Sequence, residues 1–473
     1  MIYSTIMTNI LLVNPSQAGV YGKMKPPVQM HMGLAYIASV LENRGNGVEI
    51  LDIDAEGLDA ARFTEVLKKR KPDVVGFTVT TPTFSSSLEL AELVKKHNSG
   101  TYVIFGGIHP TIRPFETIQL SYVDIVVIGE GELTFSEIVE ALEKREDLSS
   151  VKGIMFKAGG KTKETPPRQL LSDLDSLPFP SRTLFKSKVY SYPDALYRET
   201  ASMITSRGCP GMCSYCNANR IFKRVFRARS AGNVLDEMEL LTTSMGIKEI
   251  HIWDDNFVTD KKRVLAIRDE ILKRNIRVKI AFPNGLRADF LDEGIMRALK
   301  EMGVYSIAIG VESGSEEILK KAHKGIKLER IEEVFHLAKK LGLETWAFFI
   351  IGLLGETSET IKKTIAFAKK LNPDIAKFHI LKPYPGTEVY DELKSLDFIL
   401  TEDYDKFGIH TPPVHRLENL SPRDMLMWQK KAYKSFYLRP STIINQALRI
   451  KTLNRLKLNF EAGAGLLKTL ISS

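Results

Sequence analysis

Ser206-Arg207-Gly208-Cys209-Pro210-Gly211-Met212-Cys213-Ser214-Tyr215-Cys216 is the stretch from which the rest of this chain can be read. Its three cysteines are the only three among 473 residues, and they fall within eight positions. None is left to pair elsewhere, so a disulfide scaffold is excluded and a reducing, cytoplasmic setting is expected. The stretch follows directly on Ala201–Thr205, which reads as a strand, so the cysteines occupy a loop at a strand's carboxyl end. Three thiolates on one short loop can hold three irons of a [4Fe–4S] cluster and leave the fourth iron open. The alternative is a three-thiolate zinc site completed from elsewhere in the chain.

Downstream of the loop, strand patterns recur at Glu249–Trp253, Lys279–Phe282, Ser306–Val311, Thr345–Ile351 and Ile375–Ile380, with helical stretches between them. Six βα units over residues 201–396 predict a partial (β/α)6 barrel whose site opens at the strands' carboxyl ends. Candidate residues stand at those ends. They are Asp254 in Asp254-Asp255-Asn256, Asn284 and Arg287 in Asn284-Gly-Leu-Arg287, Glu312 in Gly310-Val-Glu-Ser-Gly314, and Gly352 and Glu356 in Gly352-Leu-Leu-Gly355-Glu356. Three of them have a plainer reading: a helix-capping carboxylate for Glu312, a left-handed turn for Gly352, a surface ion pair for Arg287.

Upstream, β-branched runs at Asn9–Asn14, Val48–Ile53, Asp73–Val79, Thr101–Phe105 and Asp124–Ile128 alternate with helical segments, clearest at Gly33–Arg44 and Ser86–Lys96. This predicts an α/β, doubly wound, flavodoxin-like (Rossmann-type) sheet over residues 1–150. Such sheets bind ligands beyond their strands' carboxyl ends, here the loops at Pro15–Ser16, Thr80–Thr83, Gly106–Pro110 and Gly129–Glu132. Residues 151–200 read as a linker with a hairpin turn at Gly159-Gly160 and helix-breaking Pro166, Pro167, Pro178 and Pro180. Residues 397–473 read as a basic, helical C-terminal region. Met1–Ile6 resembles a ragged start before Met7.

The cysteine loop, with Tyr215 as the aromatic before the last cysteine, resembles the CxxxCxxC hallmark of the radical S-adenosylmethionine (SAM) superfamily. Asp124-Ile-Val-Val-Ile-Gly-Glu-Gly-Glu132, Gly106-Gly-Ile-His109-Pro-Thr, Leu177-Pro-Phe-Pro-Ser-Arg182 and Pro383-Tyr-Pro-Gly-Thr387 narrow the likeness. Together they resemble the members that carry an N-terminal cobalamin-binding domain, from about Asn9 to Gly386. That family includes methylases of unactivated carbon and the anaerobic oxidative cyclase of bacteriochlorophyll synthesis.

The resemblance implies three cofactors: a [4Fe–4S] cluster, SAM and cobalamin. It makes Cys209, Cys213 and Cys216 the cluster ligands and catalytic centre, with SAM on the open iron yielding a 5′-deoxyadenosyl radical. It assigns Glu312 to the SAM ribose, Gly352 and Glu356 to the adenine side, Arg287 to the SAM carboxylate, and Tyr215, Asp254 and Asn284 to the same mouth. In the first domain it assigns Pro15, Thr80, Gly106, Gly107, His109, Gly129, Glu130 and Glu132 to cobalamin. No histidine has Asp two before it and Gly three after it, and none lies between Pro15 and Pro27. Cobalamin is therefore expected without a protein imidazole on cobalt, with His31 capping or packing a helix and His109 at the corrin edge.

The function expected is methylation of an unactivated carbon, with oxidative cyclisation or hydroxylation as the alternative and a non-catalytic cobalamin carrier as a reading from another class. Implied partners are a small-molecule substrate, such as a lipid or tetrapyrrole, and a reductant such as ferredoxin or flavodoxin. The net charge of +9 is concentrated at the C-terminus, where Lys430–Ser473 carries nine Lys or Arg against the single acid Glu461, a net +8. Ile443, Ile444, Ala447, Leu448, Leu453 and Leu456 fall there at helical spacing, which suggests peripheral contact with an anionic membrane. No recognisable RNA-binding module accompanies the charge, so no nucleic acid is expected. The longest apolar runs, such as Trp346–Leu354, are about half the ~20 residues of a membrane-spanning helix.

Overall fold

The computed structural model describes residues 8–21, 28–185, 190, 192 and 195–448. The described residues up to Tyr190, with Tyr384–Gly386 and Glu402–Thr411, form one compact unit, and the remainder forms a second.

In the first unit the five β-branched runs become strands β1 (Ile10–Asn14), β2 (Val48–Asp52), β3 (Val74–Thr78), β4 (Tyr102–Gly106) and β5 (Ile125–Val127). They lie parallel in the order β2-β1-β3-β4-β5. Successive side chains of a strand point to opposite faces, and β1 divides its residues accordingly. Ile10 and Leu12 pack with Leu34, Ala38, Phe135 and Ile138, from helices Met32–Asn43 and Gly131–Lys144. Leu11 and Val13 pack with Phe63, Leu67, Ala91 and Val94, from helices Ala60–Arg70 and Phe84–His97. Because the chain winds outward in both directions from β1, the loops after β1 and β3 diverge and leave a crevice at their carboxyl ends.

Gly159 and Gly160, both at positive φ, turn a hairpin of β6 (Ile154–Ala158) and β7 (Lys161–Glu164). The hairpin adds two antiparallel strands to the β5 edge, so residues expected to be a linker extend the sheet. Ile154, Met155 and Phe156 are buried, and that burial is what draws the hairpin onto the sheet.

The second unit holds β8 (Thr200–Met203), the short pair β9 (Ser206–Arg207) and β10 (Arg227–Ala228), then β11 (Glu249–Ile252), β12 (Lys279–Leu286), β13 (Val304–Glu312), β14 (Glu344–Ile351) and β15 (Ile375–Ile380). Six strands run parallel in the order β8-β11-β12-β13-β14-β15, and β8 and β15 are the open edges of this partial barrel. Ile280, Phe282, Ile307, Ile309, Ala347 and Phe349 face the helical layer and form its core. β12 and β13 run past the ends expected from sequence, because register shifts at Phe282/Leu286 and Gly310/Glu312 let them continue. Glu312 is thereby the last residue of β13, in the left-handed region at φ 65°.

Helix Pro422–Tyr437 buries Met425, Trp428, Ala432 and Phe436 in the same core. Helix Pro440–Leu448 leaves Ile443 and Ile444 exposed. The side chains of Ala447 and Leu448, and all of Leu453, Leu456 and Met1–Ile6, lie outside the described residues. Among the described residues no helix is long and apolar enough to cross a membrane.

Candidate functional site

The cysteine loop leaves the barrel after β8, and its root is fixed from below. Asp254, at the end of β11 and 3% exposed, accepts hydrogen bonds from the Thr205 amide and from the Thr205 and Ser206 hydroxyls, each at 2.6 Å. Asp255 accepts from the Gly208 amide at 2.7 Å, and burial raises its carboxyl pKa. Gly208 is at φ 85°, and a Cβ there would overlap the Val225 carbonyl oxygen, so only glycine lets the loop cross at this point. Asp254 is therefore placed to hold the loop, and its own carbonyl accepts from the Asn284 amide group at 3.2 Å.

Polar donors and cations gather around the sulfurs. The Gly211 amide lies 3.4 Å from Cys209 Sγ, and Arg287 Nη1 lies 3.5 Å from Cys213 Sγ. Desolvation raises the Cys209 thiol and pushes Cys216 up to about 11, although Cys216 as a residue is exposed. Burial and then the Glu312 carboxylate push Tyr215 well above the ordinary phenol range, so its hydroxyl stays protonated.

The structure adds a residue that the sequence did not single out. Lys324 is 5% exposed, and its ammonium sits 2.8 Å from Glu312 Oε1 and 3.5 Å from the Tyr215 hydroxyl. Burial works against this charge, but the Glu312 carboxylate and the nearby Cys213 sulfur outweigh it and raise the Lys324 pKa. Arg287 pairs with Asp289 at 2.9 Å and donates to the Lys324 carbonyl at 2.9 Å, which ties the end of β12 to the loop that carries Lys324. In sequence, His323-Lys324-Gly325-Ile326-Lys327 looks like a solvated basic loop, and only the fold turns Lys324 inward.

Gly352, at φ 89°, is clamped on both sides. Its amide donates to Glu356 Oε2 at 2.5 Å, and its carbonyl accepts from His415 Nε2 at 2.9 Å. Burial lifts the Glu356 carboxyl to about 8 and lowers His415 to about 4. His415 was also missed, because it comes from a loop beyond the barrel whose contact with Gly352 leaves no trace in sequence spacing.

In the first unit the candidate residues line the carboxyl edge of the sheet. Pro15 follows β1, and the Ser16 hydroxyl next to it donates to Asp54 at 2.8 Å. Thr80 opens a 3-10 turn, with its amide donating to the Thr83 hydroxyl at 2.9 Å. Gly106 ends β4, and Gly107 (φ 103°) lies so close to β3 that a Cβ would come within 2.8 Å of the Val79 carbonyl oxygen. Gly129 (φ 90°) faces open space instead.

Glu130 accepts from the Leu171 amide at 2.9 Å, and Glu132 is buried in the first turn of helix Gly131–Lys144. His109 is 1% exposed, packed against the Phe84 and Tyr404 rings, with Nδ1 3.2 Å from the Thr81 hydroxyl and no hydrogen-bond partner for Nε2 among the described residues. His31 caps helix Met32–Asn43 through Nδ1, and its Nε2 meets the Thr78 hydroxyl at 3.2 Å. Burial lowers both histidines to about 4.

Both sites fit the groups expected of them. Among the described residues no three His, Cys, Asp or Glu side chains converge on a single ion position. A cubane does not require that convergence, since each thiolate takes its own iron. The adjoining Arg287 and Lys324 suit an anionic, thiolate-rich group better than a neutral one. At the other edge, Gly129 opens the backbone where a broad flat ring and its tail need close approach.

Comparison with known proteins agrees with this geometry. Residues 203–368 match the radical SAM superfamily and residues 27–139 match the B12 binding domain. An uncharacterised methyltransferase of Pyrococcus horikoshii is 35% identical over 93% of this chain and 94% of its own. The anaerobic magnesium-protoporphyrin IX monomethyl ester cyclase of Rubrivivax gelatinosus is 27% identical over 86% of this chain and 73% of its own. Among solved structures, the cobalamin-dependent SAM radical enzyme OxsB, with aqua-cobalamin and SAM bound, shares the fold. Its TM-score is 0.75 at 18% identity, over 98% of this chain and 72% of that one.

Proposed function

This chain belongs to the cobalamin-binding branch of the radical SAM superfamily, and on that premise we propose that it methylates an unactivated carbon of a small molecule. The observation that carries the reading is the convergence of Cys209, Cys213 and Cys216 with Tyr215, Arg287, Glu312 and Lys324 at one barrel mouth. When bound, SAM on the cluster supplies a hydrogen-abstracting radical, and cobalamin supplies the methyl group. Cys209, Cys213 and Cys216 would hold three irons, and the Arg287 and Lys324 cations would offset the negative charge. Glu312 would accept from the SAM ribose hydroxyls, its position fixed by Lys324. The Gly352 turn, clamped by Glu356 and His415, would present backbone to the adenine. Asp254 and Asn284 would keep the loop root rigid.

We assign cobalamin to residues 1–150, with Pro15, Thr80, Gly106, Gly107 and Gly129 nearest the ring and Glu130, Glu132 and His109 supporting that edge. Residues 151–200, whose β6–β7 hairpin belongs to the first sheet, lead to the SAM barrel at 201–396, and 397–473 form the C-terminal region. The substrate class is a lipid or tetrapyrrole, and an external donor supplies the electron.

Incubating the reconstituted enzyme with methyl-deuterated SAM and candidate substrates tests the reading. A product three mass units heavier than the unlabelled methylated one supports it. The cyclase relative favours one alternative, an oxidised or ring-closed product with no label. Exposed Ile443 and Ile444, followed by the basic run to Ser473, support peripheral contact with an anionic membrane. Flotation with anionic liposomes at low salt tests this, and absence of binding disposes of it.

A further inference from the structure

We propose that the face formed by Arg220, Lys223 and Arg224 beside Cys216 is the docking surface for an acidic one-electron carrier protein. The inference rests on the reading that Cys209, Cys213 and Cys216 hold a cluster reduced from outside.

Between Ser206 and Arg229 the chain carries six cations, Arg207, Arg220, Lys223, Arg224, Arg227 and Arg229, and no acid. The β9–β10 pairing sets Arg207 against Arg227 and closes the segment into a loop, so residues 220–225 return to the first cysteine. There the Val225 carbonyl packs onto Gly208. Arg220, Lys223 and Arg224 are exposed, as is Cys216.

Lys223 and Arg224 are consecutive non-glycine residues in the left-handed region, at φ 50° and 62°. Such conformations cost free energy and persist where the surrounding structure enforces them. Here they turn two cations outward, and neither has an ion-pair partner among the described residues. Arg220 meets Asp391 at 3.5 Å, but both side chains are more than half exposed, so the pair is weak. Met212 in the cysteine loop (53% exposed) and Val225 next to Arg224 (46%) are exposed apolar side chains of the same segment.

Lys223 and Arg224, without ion-pair partners among the described residues, together with the weakly held Arg220, follow a candidate redox ligand closely in the chain and suit a carrier that must dock briefly and at short range. Electrostatic complementarity mainly accelerates encounter, by about 10- to 1,000-fold. The step is a single electron transfer: the carrier is oxidised by one electron, the cluster is reduced by one, and no bond forms or breaks.

The test uses the full chain, anaerobically reconstituted, with a photoreduced acidic flavodoxin as probe. The charge-reversed R220E/K223E/R224E chain and its neutral R220Q/K223Q/R224Q counterpart are compared with wild type. Titration calorimetry should show flavodoxin binding to wild type at 50 mM salt, weaker at 500 mM and at least ten-fold weaker to the charge-reversed chain. Flavodoxin-driven 5′-deoxyadenosine formation should fall at least ten-fold on reversal and less on neutralisation, with dithionite-driven formation within two-fold of wild type.

Equal flavodoxin binding by all three chains, or a wild-type rate indifferent to salt, overturns the proposal. So does micromolar binding of duplex RNA that the substitutions abolish, which would make the face a nucleic-acid contact. If dithionite yields no 5′-deoxyadenosine even in wild type, it is the cluster reading that fails, while binding still reports on the surface.

Discussion

Replacing Lys324 by methionine strands a buried charge, and the structure sets the size of the effect. Lys324 is 5% exposed, the Glu312 side chain 9%, and their charges are 2.8 Å apart. At an effective dielectric of about 20, Coulomb's law gives an attraction of roughly 6 kcal/mol, most of it offset by desolvation of both groups. Removing one partner of such a pair costs about 3–5 kcal/mol, because the other is left uncompensated. Lys324→Met should therefore destabilise the barrel by about 3–5 kcal/mol, and the double variant E312Q/K324M should recover at least half of that loss. All three tryptophans, Trp253, Trp346 and Trp428, belong to the second unit, so their fluorescence during urea unfolding reports that unit alone. A K324M chain within 1 kcal/mol of wild type, or a double variant that loses the sum of both singles, would refute the reasoning.

Other outcomes follow from single contacts. Glu356 titrates near 8 when folded against an ordinary 4.5, so the native state keeps a proton the unfolded state has lost, and stability falls as pH rises from about 4.5 to 8. Glu356→Gln keeps an acceptor for the Gly352 amide and should flatten that decline in urea midpoints measured at pH 5.5 and 8. Conversely His31, His109 and His415 stay neutral down to about 4 when folded, whereas unfolded imidazole protonates near 6.5, so stability should drop as pH falls from 6.5 to 4. Thermal scans over that range check this, and a flat Tm would contradict it. Gly208→Ala forces both a positive φ and an overlap with Val225, and iron retained after reconstitution should fall by more than half. With His31 capping a helix and His109 packed between rings, paramagnetic resonance of the cob(II)alamin form should lack splitting from an axial imidazole nitrogen.

Much of this was legible in the sequence, because periodicity and punctuation are local. The runs Asn9–Asn14 and Ile375–Ile380 announce buried parallel strands, and Gly159-Gly160 announces a hairpin. That the hairpin would join the β5 edge was not legible, since Ile154, Met155 and Phe156 show only that they are apolar, not against what they pack. The cysteine loop was legible because its chemistry is written in spacing. Lys324 and His415 were not, because Lys324 meets Tyr215 as well as Glu312 and His415 meets Gly352, contacts that residue spacing does not announce. Arg287 was expected to face SAM directly. In the structure its Nε and Nη2 also meet Asp289 and the Lys324 carbonyl while its Nη1 lies beside Cys213 Sγ, and Lys324 is the more deeply buried cation of the two.

The most direct test of the central claim is iron and SAM cleavage measured together on anaerobically reconstituted protein, wild type against C209A/C213A/C216A. Wild type should bind about four irons per chain, absorb near 400 nm and, once reduced, convert SAM to 5′-deoxyadenosine, while the triple variant does none of these. Stoichiometric zinc with neither the absorption nor the product would contradict the account.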